Sequence, residues 1–379
     1  MYGAGGRTIF NPTYTLGSAQ SVIVSSNGVA PPYPAYFWRL NQSGGIIESA
    51  TINNGGRLSS TNGSIGSAVV YNGGYLTNYG SSFGSVTVND YGYLSNNTGT
   101  IDTVIIQSTG NGTPVVQDNG AMYYGVYNWV AVDPGPSSAS NGTRIGTAIV
   151  NDGVPLNNGH GVIETVFLNG GMVNNLDRID NLIYTSGTYD GSQAEHFVLG
   201  GQRQMFYGTG TIGTLTLVGD SANNTGDWGI VENLKFDGNG AGIISITAFT
   251  DGSEPGFSGI KAGNVNLDNG NIWLDMSDFG GSFYEVYGNT GEFFLGDLFG
   301  ATTATGDLIS FKGIWGNFEF DLFDGSEFWT AGNWNYNAFN GILSWDTTGG
   351  GDGFVPEPAT LVMLGLGLVG LGLARRRRK

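Results

Sequence analysis

Few residues of this chain have the types and spacing that catalysis requires. Its 379 residues include two histidines and no cysteine, which excludes disulfides, thiol chemistry and zinc–thiolate sites. No Gly-x-Ser-x-Gly motif and no histidine pair at metal spacing occurs. Carbohydrate cleavage needs paired carboxyl groups, and Asp133 with His160 are the residues that would have to serve it. We expect a protein that is not an enzyme, with a polysaccharide lyase or hydrolase as the alternative.

Oxygen-rich turns offer the better candidates for metal binding. Asp237 and Asn239 lie two apart in an Asp-Gly-Asn-Gly turn, which resembles half of a calcium loop. Two other turns place an aspartate and a glutamate three residues apart, at 251–254 and 324–327. Calcium takes six to eight oxygen ligands, and the twelve-residue loop that ends in glutamate is absent. We therefore expect no cofactor, with a calcium-stabilised matrix module as a further alternative.

The charge of the chain is unevenly distributed. It has 14 basic and 31 acidic residues, and five of the basic ones form the final run 375–379. Residues 1–374 therefore carry a net charge of −22, which repels nucleic acid and anionic lipid headgroups. The 67 glycines, together with 12% aromatic residues, are typical of many short strands joined by tight turns rather than of disorder. This composition predicts an all-β protein without a nucleic-acid partner.

A repeat of 18 residues organises the body of the chain. Residues 48–65, 66–83, 84–101 and 146–163 align without gaps. Four columns of the alignment are apolar, and their spacing along a strand predicts that they face inward. Such repeats predict a parallel β-solenoid, or β-helix, with 18-residue rungs, each covered by its neighbours; a β-sandwich is the alternative. The columns are Ala50, Ala68, Val86, Val104, Ala148 and Val166; Ile52, Val70, Val88, Ile106, Val150 and Leu168; Leu58, Leu76, Leu94 and Leu156; and Ile65, Phe83, Ile101 and Ile163.

The position after the second apolar column predicts the corners of the coil. Asparagine recurs there, and its amide can bond the same amide one rung away. The glycine pairs 55–56 and 73–74 follow, and we expect them to supply positive φ angles. The column contains Asn53, Tyr71, Asn89, Gln107, Asn151 and Asn169.

Two resemblances concern the repeats. The V-x-x-G-G-x-L-x-N spacing, as in Val70 to Asn78, resembles that of self-associating autotransporter adhesins across about 45–175. This resemblance implies a β-helical passenger and surface adhesion, although no C-terminal membrane barrel of alternating strands follows. Gly159 to Gly161 resembles a histidine motif of β-helical polygalacturonases, but the companion aspartate motifs of that family are absent.

The remaining sequence divides around this body. Residues 1–44 are predicted as an N-terminal cap or extended segment, 45–270 as the solenoid and 271–348 as an aromatic, β-rich cap. The repeat loses its phase between Asp102 and Gly146, which predicts an insertion near 108–143. Its aromatic residues could bind a ligand such as a sugar, or could instead cover the side of the solenoid. These candidate ligand aromatics are Tyr123, Tyr124, Tyr127 and Trp129.

The C-terminal tail has three parts. Residues 349–358 form a linker that ends in a Pro-Glu-Pro motif, and an uncharged apolar run follows from Ala359 to Ala374. A basic cluster then ends the chain, which predicts one transmembrane helix within 359–379 with a cytoplasmic C-terminus. A plain membrane anchor would have the same features. The motif residues are Val355, Pro356, Glu357 and Pro358, and the basic cluster is Arg375, Arg376, Arg377, Arg378 and Lys379.

The order of these three parts closely resembles the PEP-CTERM sorting signal. The resemblance implies an exosortase-like membrane enzyme as a partner, removal of the tail after translocation, and a Gram-negative host that makes exopolysaccharide. An exported chain needs a signal peptide, and Met1 to Gly6 lacks its basic and apolar regions. We therefore expect that the true start lies elsewhere or that the chain is truncated.

Taken together, these features predict an exported structural or adhesive protein of the cell surface or extracellular matrix. Its expected partners, besides the sorting enzyme, are exopolysaccharide or further copies of itself.

Overall fold

The computed structural model of the chain describes residues 7–8, 13–25, 39–90, 92–108, 130–132, 143–152, 155–159, 161–191, 194–199, 202–207, 209–218, 227–237, 242–250, 255–258, 260–275, 290–308, 310–315, 318–324, 327–328 and 334–346. Within these ranges the protein is all-β, as predicted, with 31 strands, one short 3-10 helix and no α-helix. The chain divides into two compact units, residues 1–235 and 236–379.

The first unit contains mainly short strands that succeed one another closely along the chain. They are β1 (Arg7–Thr8), β2 (Thr13–Leu16), β3 (Ala19–Ser25), β4 (Arg39–Ser43), β5 (Ile46–Asn53), β6 (Arg57–Thr61), β7 (Ser64–Val70), β8 (Tyr75–Tyr79), β9 (Ser82–Val88), β10 (Tyr93–Asn96), β11 (Thr100–Ile106), β12 (Val130–Val132), β13 (Arg144–Asn151), β14 (Pro155–Asn158), β15 (Val162–Asn175), β16 (Arg178–Asp190), β17 (Ala194–Leu199), β18 (Gln202–Tyr207), β19 (Thr211–Val218) and β20 (Ile230–Asp237), which crosses the boundary between the units.

Two parallel ladders arrange these strands. Ladder A joins β1, β3, β5, β7, β9, β11, β13, the first parts of β15 and β16, and β19. Ladder B joins β2, β4, β6, β8, β10, β12, β14 and the later parts of β15 and β16. Ile47 pairs with Ile65, and Ile65 with Phe83, each 18 residues further on. These long parallel sheets are consistent with the predicted β-solenoid of 18-residue rungs.

Insertions lengthen some rungs without shifting the ladders. Leu94 pairs with Val130 and Val130 with Leu156, at offsets of 36 and 26 residues instead of 18. Strand β12 therefore occupies a rung of ladder B inside the segment predicted as one insertion near 108–143. Arg178 pairs with Thr211, and the antiparallel hairpin of β17 and β18 lies between them in the sequence. The extra residues enter between strands and leave the strand register unchanged.

The four apolar columns predicted to face inward are all buried. Every one of their side chains, from Ala50 to Leu168, is at most 3% exposed. Each full burial of a valine, leucine or isoleucine side chain stabilises the fold by about 1.5–3 kcal/mol. Between the fourth column and the first, two consecutive residues point outward, as at Glu48 and Ser49, so the strand bends at this place. The bend brings columns three residues apart onto the same interior.

A column of buried polar side chains also lines ladder B. Asn78 donates from Nδ2 to the carbonyl oxygen of Ser81 at 3.0 Å and to that of Thr100, on the next rung, at 3.4 Å. The Ser81 amide donates back to Oδ1 of Asn78 at 2.8 Å. Each amide thus closes a corner and ties it to the neighbouring rung, which satisfies buried backbone groups. The column, at most 1% exposed, consists of Gln42, Ser60, Asn78, Asn96, Asn158 and Asn175.

The same arrangement recurs at other rungs of this column. Asn158 donates to the carbonyl oxygen of Gly161 at 2.9 Å and to that of Arg178 at 3.2 Å. Asn175 donates to the hydroxyl of Tyr189 at 3.0 Å, and burial raises the pKa of that hydroxyl above its ordinary value. The interior of the coil is therefore not purely apolar.

At the other corner the glycine pairs have different roles, which corrects the prediction. Gly55 and Gly73 have φ angles of 77° and 73°, as expected. Gly56 and Gly74 are not in the left-handed region. A Cβ on Gly74 would lie 2.2 Å from the carbonyl oxygen of Ile52, one rung away, so the second glycine provides space instead. The other left-handed residues of these corners are Asn54 and Asn72.

The amide column predicted at this corner forms only in part. Asn169 donates to Oδ1 of Asn151 at 3.4 Å, which is a same-residue pair of the predicted kind. Asn53 instead donates to the hydroxyl of Tyr71 at 2.7 Å, because tyrosine stands in the column one rung further on.

The second unit combines parallel and antiparallel pairing. Strand β21 pairs in parallel with β24, and β24 with β27, in a six-stranded sheet whose other pairs are antiparallel. Strands β25, β31 and β30 form an antiparallel sheet, and β23 pairs in parallel with β26. The elements are β21 (Gly242–Thr250), β22 (Pro255–Ser258), β23 (Ala262–Asn266), β24 (Gly270–Asp275), β25 (Thr290–Phe294), the 3-10 helix Leu295–Phe299, β26 (Thr303–Thr305), β27 (Ser310–Trp315), β28 (Phe318–Asp324), β29 (Glu327–Phe328), β30 (Trp334–Asn337) and β31 (Ile342–Asp346).

Two parts of the predicted organisation stay predictions. The capping roles of residues 1–44 and 271–348 have no test in the structure. The predicted transmembrane segment at 359–379 lies outside the described residues. Within the part of the chain that the structure describes, no helix has the length and apolar character needed to cross a membrane.

Candidate ligand-binding face

Most residues predicted as functional lie outside the described residues. The exception among the metal candidates is Asp237, which is exposed at the end of β20. In the described ranges, no three histidine, cysteine, aspartate or glutamate residues come close enough together to hold a metal ion. The residues outside are Tyr123, Tyr124, Tyr127, Trp129, Asp133, His160, Asn239, Val355, Pro356, Glu357, Pro358, Arg375, Arg376, Arg377, Arg378 and Lys379.

The outward side of ladder A presents two regular columns of side chains. Their members occupy equivalent positions on nine successive rungs, and none of them is buried. We call these two columns the ladder A face. Its hydroxyl column is Ser21, Ser49, Ser67, Ser85, Thr103, Thr147, Thr165, Asn181 and Thr214, and its second column is Ile23, Thr51, Val69, Thr87, Ile105, Ile149, Phe167, Ile183 and Thr216.

The ladders fix the spacing of this face. Neighbouring rungs of a sheet lie about 4.8 Å apart, and alternate residues of a parallel strand about 6.6 Å apart. Hydroxyl groups both donate and accept hydrogen bonds, whereas the β-branched side chains and Phe167 present apolar surface. Ser49 and Ser67 contact carbonyl oxygens of the preceding rung at 3.4 and 3.5 Å. Such long contacts leave these hydroxyls able to exchange to a ligand oxygen.

The electrostatics of the face differ from those of the whole chain. Neither column contains a charged residue, although residues 1–374 carry a net charge of −22. Acidic residues stand directly beside the hydroxyl column along the strand, at Glu48, Asp102, Glu164 and Asp180. The face is therefore an uncharged strip with an acidic border.

Two arginines partly neutralise that border. Arg144 forms an ion pair with Glu164. Arg178 donates from Nε to Asp180 at 2.7 Å and from Nη1 to Glu232 at 2.9 Å. The hydrogen bond from Arg178 lowers the pKa of the Glu232 carboxyl. All of these groups are well exposed, so the pairs stabilise the fold only weakly.

Ladder B carries an aromatic column on its outward side. The rings of Tyr75 and Tyr93 stack with centroids 3.7 Å apart, and the Arg57 guanidinium lies 4.9 Å from the centre of the Tyr75 ring. Burial raises the pKa of the Tyr75 hydroxyl, and Tyr93 is only 7% exposed. Because these ring faces cover one another, they cannot also stack on a sugar. This leaves the ladder A face as the stronger candidate for ligand binding.

Sequence reasoning found the inward columns but missed this face. The signal was present in the same alignment, since serine or threonine directly precedes the first apolar column in most repeats. It went unused because outward positions of a strand carry no periodic constraint from the core.

The tail provides the comparison with known proteins. Residues 354–379 match the family model of the PEP-CTERM protein-sorting motif. This match indicates a secreted, exosortase-processed protein of Gram-negative bacteria. It confirms the predicted sorting motif, and it covers only the tail. No curated protein and no solved structure matches the chain.

Proposed function

We propose that this chain is a structural or adhesive protein of the cell surface or extracellular matrix, and that it associates with exopolysaccharide. The role is non-enzymatic. Export through an exosortase brings the body into contact with extracellular polymers. Self-association, which the resemblance to autotransporter adhesins implies, is compatible with the same role.

The observation that carries this proposal is the ladder A face. Nine rungs repeat the same two side-chain classes, hydroxyl and β-branched or aromatic. Such a face offers many weak and equivalent contacts, which suits a long polymer better than a small molecule, because contacts along one chain act together. Catalytic sites instead gather different groups around one reacting atom.

The test has two readouts from one strain. The chain with a restored signal peptide is expressed in an exosortase-bearing host that makes exopolysaccharide, and intact mass spectrometry follows fractionation. We expect a surface or secreted species that lacks the tail from near Pro356–Pro358 and co-sediments with the purified exopolysaccharide. The matched control is the same host without its exosortase, where the tail should remain. A full-length product in the inner membrane of both hosts, with no polymer binding, would refute the proposal.

A further inference from the structure

We infer that the ladder A face binds an uncharged, extended β-1,4-linked glycan that lies along the two columns, with one sugar on each rung. This inference rests on the proposed function and names the ligand of the same site.

The charge of the face selects the class of polymer. A ligand lying on the two columns meets no charged side chain, but it runs close to Glu48, Asp102 and the other acidic residues of the border. An anionic glycan would be repelled both by that border and by the net charge of −22 on residues 1–374. An uncharged glycan meets neither penalty. The face therefore discriminates against uronate-rich polymers.

The spacing of the face sets the orientation of the ligand. The rung repeat of about 4.8 Å is close to the advance of one sugar in an extended β-1,4-linked chain. A glycan that runs along the stack thus meets one hydroxyl and one apolar side chain for each sugar. The columns continue through both large insertions, because Thr103 pairs with Thr147 and Asn181 with Thr214. Nine successive sugars can accordingly be held without a break.

Strand propensity alone does not account for the composition of these columns. Threonine, valine, isoleucine and phenylalanine favour strands in any context. Serine has no such preference, yet it occupies the first four rungs of the hydroxyl column. A purely solvated surface of an acidic protein would also carry charged side chains, and neither column has one. A requirement for uncharged hydrogen-bonding groups explains both observations.

Binding strength should grow with ligand length. A net hydrogen bond contributes roughly a factor of two to ten to an equilibrium constant. With one hydroxyl and one apolar contact for each sugar, we expect the affinity to increase about threefold with each added sugar. Short oligosaccharides should therefore bind very weakly.

The experiment uses the full chain and a pair of soluble polymers with the same backbone. Affinity electrophoresis compares hydroxyethyl cellulose, which is uncharged, with carboxymethyl cellulose, which is anionic, and titration with cello-oligosaccharides of two to six sugars measures the length dependence. We expect retardation by the uncharged polymer only. Equal or stronger retardation by the anionic polymer, or no retardation by either, would overturn the inference, as would an affinity that stops rising after two or three sugars.

Variants test the position of the site. Thr147→Glu places a carboxylate in the middle of the hydroxyl column and should weaken binding by about tenfold or more. Thr61→Glu makes the same change at an exposed residue of ladder B and should leave binding unchanged. Phe167→Ser, at a residue 37% exposed, tests the second column without adding charge and should weaken binding about threefold. Equal binding by Thr147→Glu and the unmodified chain would show that the face is not the site.

The outcomes separate this inference from the proposed function. If the chain and Thr147→Glu both co-sediment with the host exopolysaccharide, the proposed function stands and the assignment of the face is wrong. If the unmodified chain fails to bind the host polymer at all, both are wrong.

Discussion

The buried asparagine at position 78 provides the sharpest test of how the rungs are held together. Its amide makes three hydrogen bonds, two to carbonyl oxygens of Ser81 and Thr100 and one from the Ser81 amide. Asn78 is fully buried and Ser81 is 2% exposed. In the Asn78→Ala variant, the Ser81 amide would lose its buried acceptor, which costs about 1–3 kcal/mol, and two further bonds worth about 1 kcal/mol each would be lost.

We therefore expect Asn78→Ala to lower the free energy of unfolding by about 3 kcal/mol. The matched control is Asn181→Ala, which removes one amide hydrogen bond, to the carbonyl oxygen of Glu164 at 3.0 Å, from an exposed residue. That change should cost less than about 1 kcal/mol. Guanidinium unfolding followed by circular dichroism measures both, and an unchanged slope with denaturant is required for the comparison.

A third variant separates hydrogen bonding from the loss of volume. Asn78→Asp keeps the shape and can still accept from the Ser81 amide, but its ionised carboxylate cannot donate to the two carbonyl oxygens. Burial raises the pKa of such a carboxyl group, so the folded variant binds a proton more readily than the unfolded one. Its stability deficit should therefore shrink as the pH falls, because the protonated group can donate again. If Asn78→Ala costs no more than Asn181→Ala, the buried amide column does not hold the rungs together.

Three further predictions concern the corners, the surface ion pairs and the core. Gly74→Ala should destabilise the fold by several kcal/mol, since its Cβ would lie 2.2 Å from a carbonyl oxygen, whereas Gly17→Ala, with nothing within 4 Å, should be neutral in the same unfolding assay. Glu232→Gln should cost less than about 1 kcal/mol at neutral pH; because Arg178 lowers the pKa of Glu232, this difference from the unmodified chain should disappear as the pH falls through that lowered pKa, and a difference that persists in acid would contradict it. Leu76→Ala, at a fully buried side chain, should cost about 2–5 kcal/mol, and a cost near zero would show that the coil collapses around the cavity.

The inward columns were predictable because two periods coincide in the sequence. Alternation along each strand and recurrence every 18 residues both place Val86 and Val88 on the interior, and the parallel register confirms this placement. Few folds satisfy both periods at once. The glycine density and the sorting motif were equally accessible, since each depends only on local sequence.

The buried amide column was not predicted, and the reason is physical. A polar residue two positions after an inward leucine, such as Asn78 after Leu76, is ordinarily assigned to a turn exposed to solvent. Its burial becomes favourable only because the corner and the next rung supply partners, and those partners follow from the register. The stacking of Tyr75 on Tyr93 has the same origin, because the two residues meet only when β8 pairs with β10.

The unchanged register across the insertions has a consequence for how such a protein can diversify. The chain leaves the ladders after Ile106 and rejoins them at Val130, yet Leu94, Val130 and Leu156 remain in line. Loop length and core structure are thus independent variables, so lineages can exchange these loops while the scaffold stays fixed. The segment between Ile106 and Val130 is accordingly the natural place to graft a foreign epitope for display on a bacterial surface.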